Sequence, residues 1–259
     1  MFANERQSKI CDIVKKSGAV TTSELVKEFK VSVETVRRDL LELESSGKLQ
    51  RVHGGAVKIS KMREFHNRSK RDNEHSGEKK ALGKTAAIFV SPGDTIAVDI
   101  GSTAVGFAES IKSIPNLTVV THSGDVFEIL KSSHNTKVIL IGGEFSAEEN
   151  SFYGPLTLQT YQKLHVNKSF ILPSAVSLNF GICDFLSEYY ILQKTLIGIC
   201  DRAFILADSS KYEKKALYKL DDMKAEYTYI TDAALPESLK KLYSENGLNV
   251  ITSKDDINK

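Results

Sequence analysis

A chain of 259 residues has room for two domains at roughly 100–200 residues each. Lys and Arg number 35 against 33 Asp and Glu, yet residues 1–80 hold 18 basic and 12 acidic side chains (+6) while residues 81–259 hold 17 and 21 (−4). No apolar run approaches the roughly 18 residues of a membrane span, and Met1 to Lys9 is too polar for a secretory signal. Cys11, Cys183 and Cys200 are scattered and form neither a disulfide framework nor a zinc pattern. A cytoplasmic, metal-free protein is expected, with an N-terminal part modestly suited to a polyanion.

Asn4 is placed to cap a first helix with Ile10, Ile13 and Val14 on one face and Gly18 at its end. Thr21 and Glu24 stand three apart, as a capping box requires, ahead of Leu25, Val26 and Phe29. After a tight Lys30-Val31 connection, Ser32 and Gly47 mark the two ends of a third helix. Val33, Val36, Leu40 and Leu43 repeat along one face of it; Glu34 and Arg38 lie opposite, flanked by Thr35 and Arg37. Alone, this helix reads as an amphipathic element with a solvated charged face. Its setting reverses that preference, because helix, short helix, turn and helix is the helix-turn-helix order. Residues Lys48 to Lys58 then predict a small hairpin, or wing, turning at Gly54-Gly55.

The DNA-contacting candidates are therefore Thr22, Ser32, Glu34, Thr35, Arg37 and Arg38 at the helices and Lys48, Arg51 and His53 on the wing. Arginine near the start of such a helix forks onto guanine or holds phosphate, and wing cations grip the backbone. This makes residues 1–57 a winged helix-turn-helix domain. Residues 58–78, polar and charge-rich, are expected to be a linker.

Residues 79–259 alternate helix and strand. Strand-like runs are Thr95–Ile100, Leu117–Thr121, Lys137–Ile141, Ser169–Leu172, Ala203–Ala207, Tyr227–Thr231 and Asn249–Thr252, with helical stretches between them. The pattern predicts a larger, Rossmann-like α/β domain with a largely parallel sheet. Function in such a sheet belongs at the carboxyl ends of strands. There stand Asp99-Ile-Gly-Ser-Thr103, then Thr121, His122 and Ser123, then Gly142-Gly143, then Asp208-Ser-Ser-Lys211. Gly101, Ser102 and Thr103 opening a helix suit an anion, and Lys211 adds positive charge. Each piece alone reads as a turn, a cap or a surface lysine; their convergence points to a phosphate on a small polyol.

Thr-Val-Arg-Arg-Asp-Leu at 35–40 followed by Arg-Val-His-Gly-Gly-Ala at 51–56 resembles the N-terminal domain of the DeoR family of bacterial transcriptional regulators. The resemblance continues through Gly-Asp-Thr at 93–95, Asp-x-Gly-Ser-Thr at 99–103, Gly142-Gly143, Gly154, Gly181 and Ala-Asp-Ser-Ser-Lys at 207–211. It implies an effector domain similar to sugar-phosphate isomerases in fold, binding a phosphorylated sugar. Asp99, Gly101, Ser102, Thr103 and Lys211 would then be ligand contacts, with Glu188 and Lys194 at charged pocket positions. His122, Asn167 and Tyr189 depart from the family pattern of Asn, Asp and an acidic residue. The implied protein is a repressor of a sugar-utilisation operon, without a cofactor, bound as a homo-oligomer to paired half-sites of operator DNA and released by the sugar phosphate.

An isomerase-like enzyme with a DNA-binding appendage is the alternative, using Asp99, Glu188 or Lys194 as acid or base. The Asp-Ile-Gly-Ser-Thr loop also resembles that of sugar kinases, whose longer catalytic part and zinc motif are not found here. Gly101 to Gly106 is followed by Phe107-Ala108 rather than Lys-Ser or Lys-Thr, which excludes a nucleoside-triphosphate P-loop.

Overall fold

The computed structural model describes residues 2–59, 61–62 and 68–252. Helix α1 (Ala3–Ser17) starts ahead of Asn4, with Phe2 at its N-cap and no side-chain cap, so the capping role expected of Asn4 is not used. Strand β1 (Ala19–Thr21) follows, then α2 (Thr22–Phe29) and α3 (Val33–Ser45). The expected capping box forms at α2, with the Thr21 side chain accepting from the Glu24 amide and Glu24 from the Thr21 amide. Ser32 caps α3 by accepting from the Thr35 amide at 3.2 Å. Val36, Leu40 and Leu43 are buried as expected, but Val33 is 42% exposed. The buried arc of α3 swings instead through Asp39, which Arg6 draws inward from α1 with bonds of 2.5 and 3.0 Å.

The wing is β2 (Gln50–Val52) and β3 (Gly55–Val57), joined by a turn at His53-Gly54, one residue earlier than expected. Both strands join β1 in a three-stranded antiparallel sheet, order β1-β3-β2. Next come β4 (Lys61–Met62), α4 (Arg68–Asn73) and α5 (Ser76–Ala87). The stretch 58–78 is thus not a plain linker: α4 and the first turn of α5 fall within it. Their anchors are ionic, Arg68 to Asp125 and Arg71 to Glu149, which leave no apolar period to read. Residues 60 and 63–67 of that stretch, Arg63 among them, lie outside the described residues, as do 253–259.

The larger domain continues through β5 (Thr95–Val98), α6 (Ser102–Ile111), β6 (Leu117–Thr121), α7 (Gly124–Leu130) and β7 (Thr136–Leu140). A short hairpin follows, β8 (Glu144–Ser146) and β9 (Ser151–Tyr153), then α8 (Pro155–Tyr161) and β10 (Val166–Ile171). Strands β11 (Ala175–Ser177) and β12 (Gly181–Asp184) precede α9 (Ser187–Gly198) and β13 (Cys200–Leu206). The chain ends through β14 (Lys214–Lys215), β15 (Tyr218–Asp221), β16 (Thr228–Ile230), α10 (Glu237–Glu245) and β17 (Asn249–Ile251). The seven expected strands form one parallel sheet in the order β17-β16-β13-β10-β5-β6-β7.

From β5 the chain runs outward through β6 and β7, then returns to β5's other side at β10 and runs the opposite way. The order therefore reverses between β5 and β10, the place where an open α/β sheet leaves a crevice beyond its strand ends. Apolar layers cover both faces. Leu82, Phe107, Phe170 and Phe204 pack on one and Tyr161, Leu192, Leu196 and Tyr229 on the other. Helices α5 and α6 approach so closely that a β-carbon on Gly83 would stand 2.6 Å from the Gly106 backbone. Beyond the sheet's carboxyl edge, β11, β12 and β15 make a small antiparallel sheet.

The two domains touch through α10. Ala19 and Val57 join the same apolar cluster as Leu239, Leu242 and Tyr243. Around it, Ser238 donates to the Ser17 carbonyl (2.9 Å), Lys241 pairs with Glu24 (3.0 Å) and Asn246 donates to the His53 carbonyl (2.9 Å). Asn179 donates to the Arg51 carbonyl (3.2 Å), so the wing backbone is held from the larger domain at two points.

Candidate DNA-reading surface and effector cavity

Thr22, Arg37, Arg51 and His53 line one groove between α3 and the wing, closed below by Leu40, Val52 and the wing glycines. Glu34, Thr35 and Arg38 follow on the outer side of α3, with Ser32 at its start, and Lys48 is exposed where α3 gives way to the wing. Ser32 and Thr35 hydroxyls bond each other at 2.9 Å. Arg37 is tied to Glu34 at 2.7 Å, with both side chains more than half exposed, whereas Arg38 has no ion pair among the described residues. The Arg51 amide donates to Glu44 at 2.8 Å, which sets the wing against the end of α3. The result is a cationic concave face whose side chains reach outward from rigid elements, the form that duplex DNA requires.

The crevice between β5 and β10 holds the second site. Gly101 is the N-cap of α6 with φ +129°, and no side chain caps this helix. A β-carbon there would meet nothing nearer than 3.8 Å, so glycine serves backbone conformation here and not close approach. Gly101, Ser102, Thr103 and Lys211 line the cavity together with Arg71, Lys79, Glu149, Ser174, Asp184, Tyr189 and Gln193. Thr103 Oγ1 is buried without a hydrogen-bond partner. Lys211 Nζ donates to the Pro173 carbonyl at 2.8 Å and lies 4.0 Å from Asp208. The positive end of α6 beside Arg71, Lys79 and Lys211 suits an anion, while Glu149 and Asp184 suit hydroxyl groups.

Asp99 does not line this cavity but lies beneath it, fully buried. Its Oδ2 accepts from the Leu172 amide (2.9 Å) and from Gln193 (2.8 Å), and Gln193 also reaches Asp184 (3.3 Å). It thereby ties the ends of β5 and β10 to α9. Burial raises the Asp99 carboxyl to about 7, against the pull of those donors. Thr121, His122 and Ser123 are buried too. Thr121 donates to the Val98 carbonyl, His122 Nδ1 meets the Tyr161 hydroxyl at 3.0 Å, and Ser123 caps α7. Burial lowers His122 to about 3, which keeps the imidazole neutral.

Eight expected residues are not brought to the cavity: Asp99, Thr121, His122 and Ser123, buried as described, and Gly142, Gly143, Glu188 and Lys194. Gly142 and Gly143 are exposed at the start of the β8 hairpin, packed against Thr157. Glu188 and Lys194 face outward on α9, whose inward positions are Tyr189, Leu192, Gln193 and Leu196. Asn167 lies at the opposite end of the sheet, accepting from the Thr95 amide at 2.9 Å. Arg71, Lys79, Glu149 and Asp184 were missed because each sits in a polar or mixed stretch. Only helical phase on α9 offered a signal, favouring Gln193 over Lys194.

A winged helix-turn-helix domain on a parallel α/β domain with an anion-suited cavity at its switch point defines a ligand-sensing DNA-binding protein. Residues 6–62 match the model of the DeoR-like helix-turn-helix domain, and residues 74–233 that of the DeoR C terminal sensor domain. The chain is 36% identical to an uncharacterized HTH-type transcriptional regulator of Bacillus subtilis (strain 168), over 93% of this chain and 94% of that one. It is 33% identical to the L-fucose operon activator of Haemophilus influenzae (96% and 99%) and 35% identical to the lactose phosphotransferase system repressor of Streptococcus mutans (93% and 97%). The chain belongs to the DeoR family of transcriptional regulators. It is a regulator and not an enzyme, and the isomerase alternative falls. Ribose 5 phosphate isomerase A from Neisseria gonorrhoeae aligns over 57% of this chain and 56% of its own, with a TM-score of 0.41 at 15% identity, which decides nothing here. Among the described residues no helix is long and apolar enough to cross a membrane.

Proposed function

We propose that this protein represses a carbohydrate-utilisation operon in the cytoplasm and leaves its operator when a phosphorylated sugar binds the cavity between β5 and β10. The observation that carries this reading is the composition of that cavity: an uncapped helix start, a buried unpartnered threonine hydroxyl, three cations and two carboxylates around one crevice. Phosphate takes the helix start and the cations, and sugar hydroxyls take Asp184. Two of the relatives named above regulate a fucose operon and a lactose phosphotransferase system, which supports a carbohydrate signal.

On the DNA side, Arg37, Arg38 and Thr35 face base edges, while Thr22, Ser32, Lys48, Arg51 and His53 meet the backbone of operator DNA. A homo-oligomer reads paired half-sites. Release requires the ligand to favour one of two domain arrangements, and linkage then makes DNA weaken the ligand by the same factor. The α10 contacts to β1 and the wing are the physical connection between the sites.

Gel shift on the promoters beside the gene, with a panel of pentose and hexose phosphates, tests the reading. One compound is expected to dissociate a sequence-specific complex, and Lys211→Ala to keep that complex while losing its release. A specific complex indifferent to every phosphorylated sugar, or normal release in the variant, would refute the assignment.

A further inference from the structure

Arg71 enters the effector cavity from α4, the first helix after the wing, and its charge is already engaged. Its Nη2 donates to both carboxylate oxygens of Glu149, at 2.5 Å to Oε2, and the Glu149 side chain is only 5% exposed. Both residues line the same cavity as Gly101, Ser102 and Thr103. A carboxylate held by one guanidinium beside an uncapped helix start is what a phosphate at that place would look like. We propose that Arg71 is a phosphate-binding residue of the sensor and that Glu149 is an internal stand-in for the effector's anion, displaced when the phosphate arrives. This rests on the cavity being the effector site.

Three observations point the same way. The Arg71 Nε is buried with no hydrogen-bond partner among the described residues, so the guanidinium keeps a donor in hand. Thr103, 1% exposed, has an unpartnered hydroxyl in the same cavity. The cavity, partly open to solvent, has an inner space of about 50 Å³, room for a few water molecules at about 10–15 Å³ each, so a sugar phosphate fills it only if a wall moves. Glu149 is the wall that moves. Lys79 Nζ donates to the backbone carbonyls of Arg71 and Glu74, which fixes Arg71 where it stands. Glu149 lies in the turn between β8 and β9, and a dianion beside its carboxylate repels it. At Arg71 one anion leaves as another arrives, so the guanidinium is never left without a counter-charge.

Inorganic phosphate, titrated calorimetrically into the full chain, tests this. Arg71→Gln is expected to weaken phosphate about tenfold to a hundredfold, the range for a lost hydrogen bond to a charged group. Glu149→Gln, which keeps the side chain's shape and removes the competing charge, is expected to tighten it by about tenfold, an effect that misfolding does not produce. Arg71→Lys, with an unchanged thermal melt, is expected to fall between Arg71→Gln and the parent. Thr103→Val separates the two readings. If Thr103→Val weakens phosphate but Arg71→Gln and Glu149→Gln leave it unchanged, the exchange is overturned and the cavity stands. If the parent chain binds no phosphate, or Thr103→Val leaves it unaffected, both are overturned.

Discussion

Two buried carboxylates, one in each domain, are held in opposite ways. Asp39, 1% exposed in the winged domain, accepts from Nε and Nη2 of the Arg6 guanidinium, one on each oxygen, and takes a further contact from Gln7. Asp99, at 0% beneath the cavity between β5 and β10, takes an amide and a glutamine on one oxygen, and its other oxygen has no hydrogen-bond partner among the described residues. His122 Nε2 stands 3.7 Å from that bare oxygen and is itself unpartnered. The N-terminal domain neutralises its buried charge and presents its working cations to the outside. The sensor domain leaves its floor incompletely satisfied and keeps its working charges inside, paired with one another. A DNA reader profits from a rigid scaffold, whereas a sensor needs groups whose partners can change.

The sharpest way to break this comparison is Asp39→Ala. Removing one partner of a buried ion pair strands the other, at a cost of about 3–5 kcal/mol, a large part of what holds a domain of this size. Urea unfolding is expected to show the winged domain lost first, with DNA binding abolished and phosphate binding retained. Replacing Arg6 and Asp39 together by Met and Leu is expected to restore most of the loss. Equal loss in the single and double variants would mean that the pair matters for something other than its charge.

Legibility divides along the same line. Helix α3 could be read because its end signals, Ser32 at the N-cap and Gly47 just past the Ser46 C-cap, and its period lie within one short stretch. The seven sheet strands could be read because each holds a short, mostly apolar run of β-branched and aliphatic or aromatic residues. Arg6 and Asp39 could not, since they stand 33 residues apart and either alone looks like a solvated charge. Arg71, Glu149 and Asp184 escaped for that reason too. Strands β11, β12 and β15, three or four residues long, carry too few positions for a period to register. Gly101-Ser-Thr103 was visible because its role is local, a strand ending where a helix begins.

A pH series sharpens the contrast at the floor of the cavity. The Asp99 carboxyl is raised from 3.8 to about 7, so its contribution to stability is full below about pH 4 and is lost as pH rises through 7. His122 is lowered from 6.5 to about 3, so its contribution is full above about pH 6.5 and is lost as pH falls through 3. The two slopes, about 1.4 kcal/mol per pH unit each, oppose one another between about pH 4 and 6.5. Asp99→Asn keeps the acceptor for Leu172 and Gln193 and removes one slope. Its urea midpoint is expected to climb with pH up to about 6.5, and at pH 8 to exceed the parent's by up to about 4 kcal/mol in stability. His122→Gln is expected to show the reverse, a midpoint that declines from pH 4 to 7. Flat profiles in both variants would place the charges of this pair elsewhere.

The smallest effects belong to the exposed face, and they separate reading from holding. Arg38, without an ion-pair partner among the described residues, is expected to cost about 1–3 kcal/mol of operator binding when changed to alanine, concentrated at one base pair. Arg37 differs because Glu34 already holds it at 2.7 Å, with side-chain exposures of 64% and 78%. An exposed pair of this kind contributes little, so Glu34→Gln is expected to shift stability by less than about 0.5 kcal/mol. Its consequence lies in binding: a negative charge that faces phosphate is gone, and Arg37 is free to turn toward the backbone. Affinity is expected to rise a few-fold on every sequence alike, most strongly at low salt. If instead the variant changes preference at a single position, Glu34 reads a cytosine amino group directly, and the outward face of α3 carries an acidic reader beside its arginines.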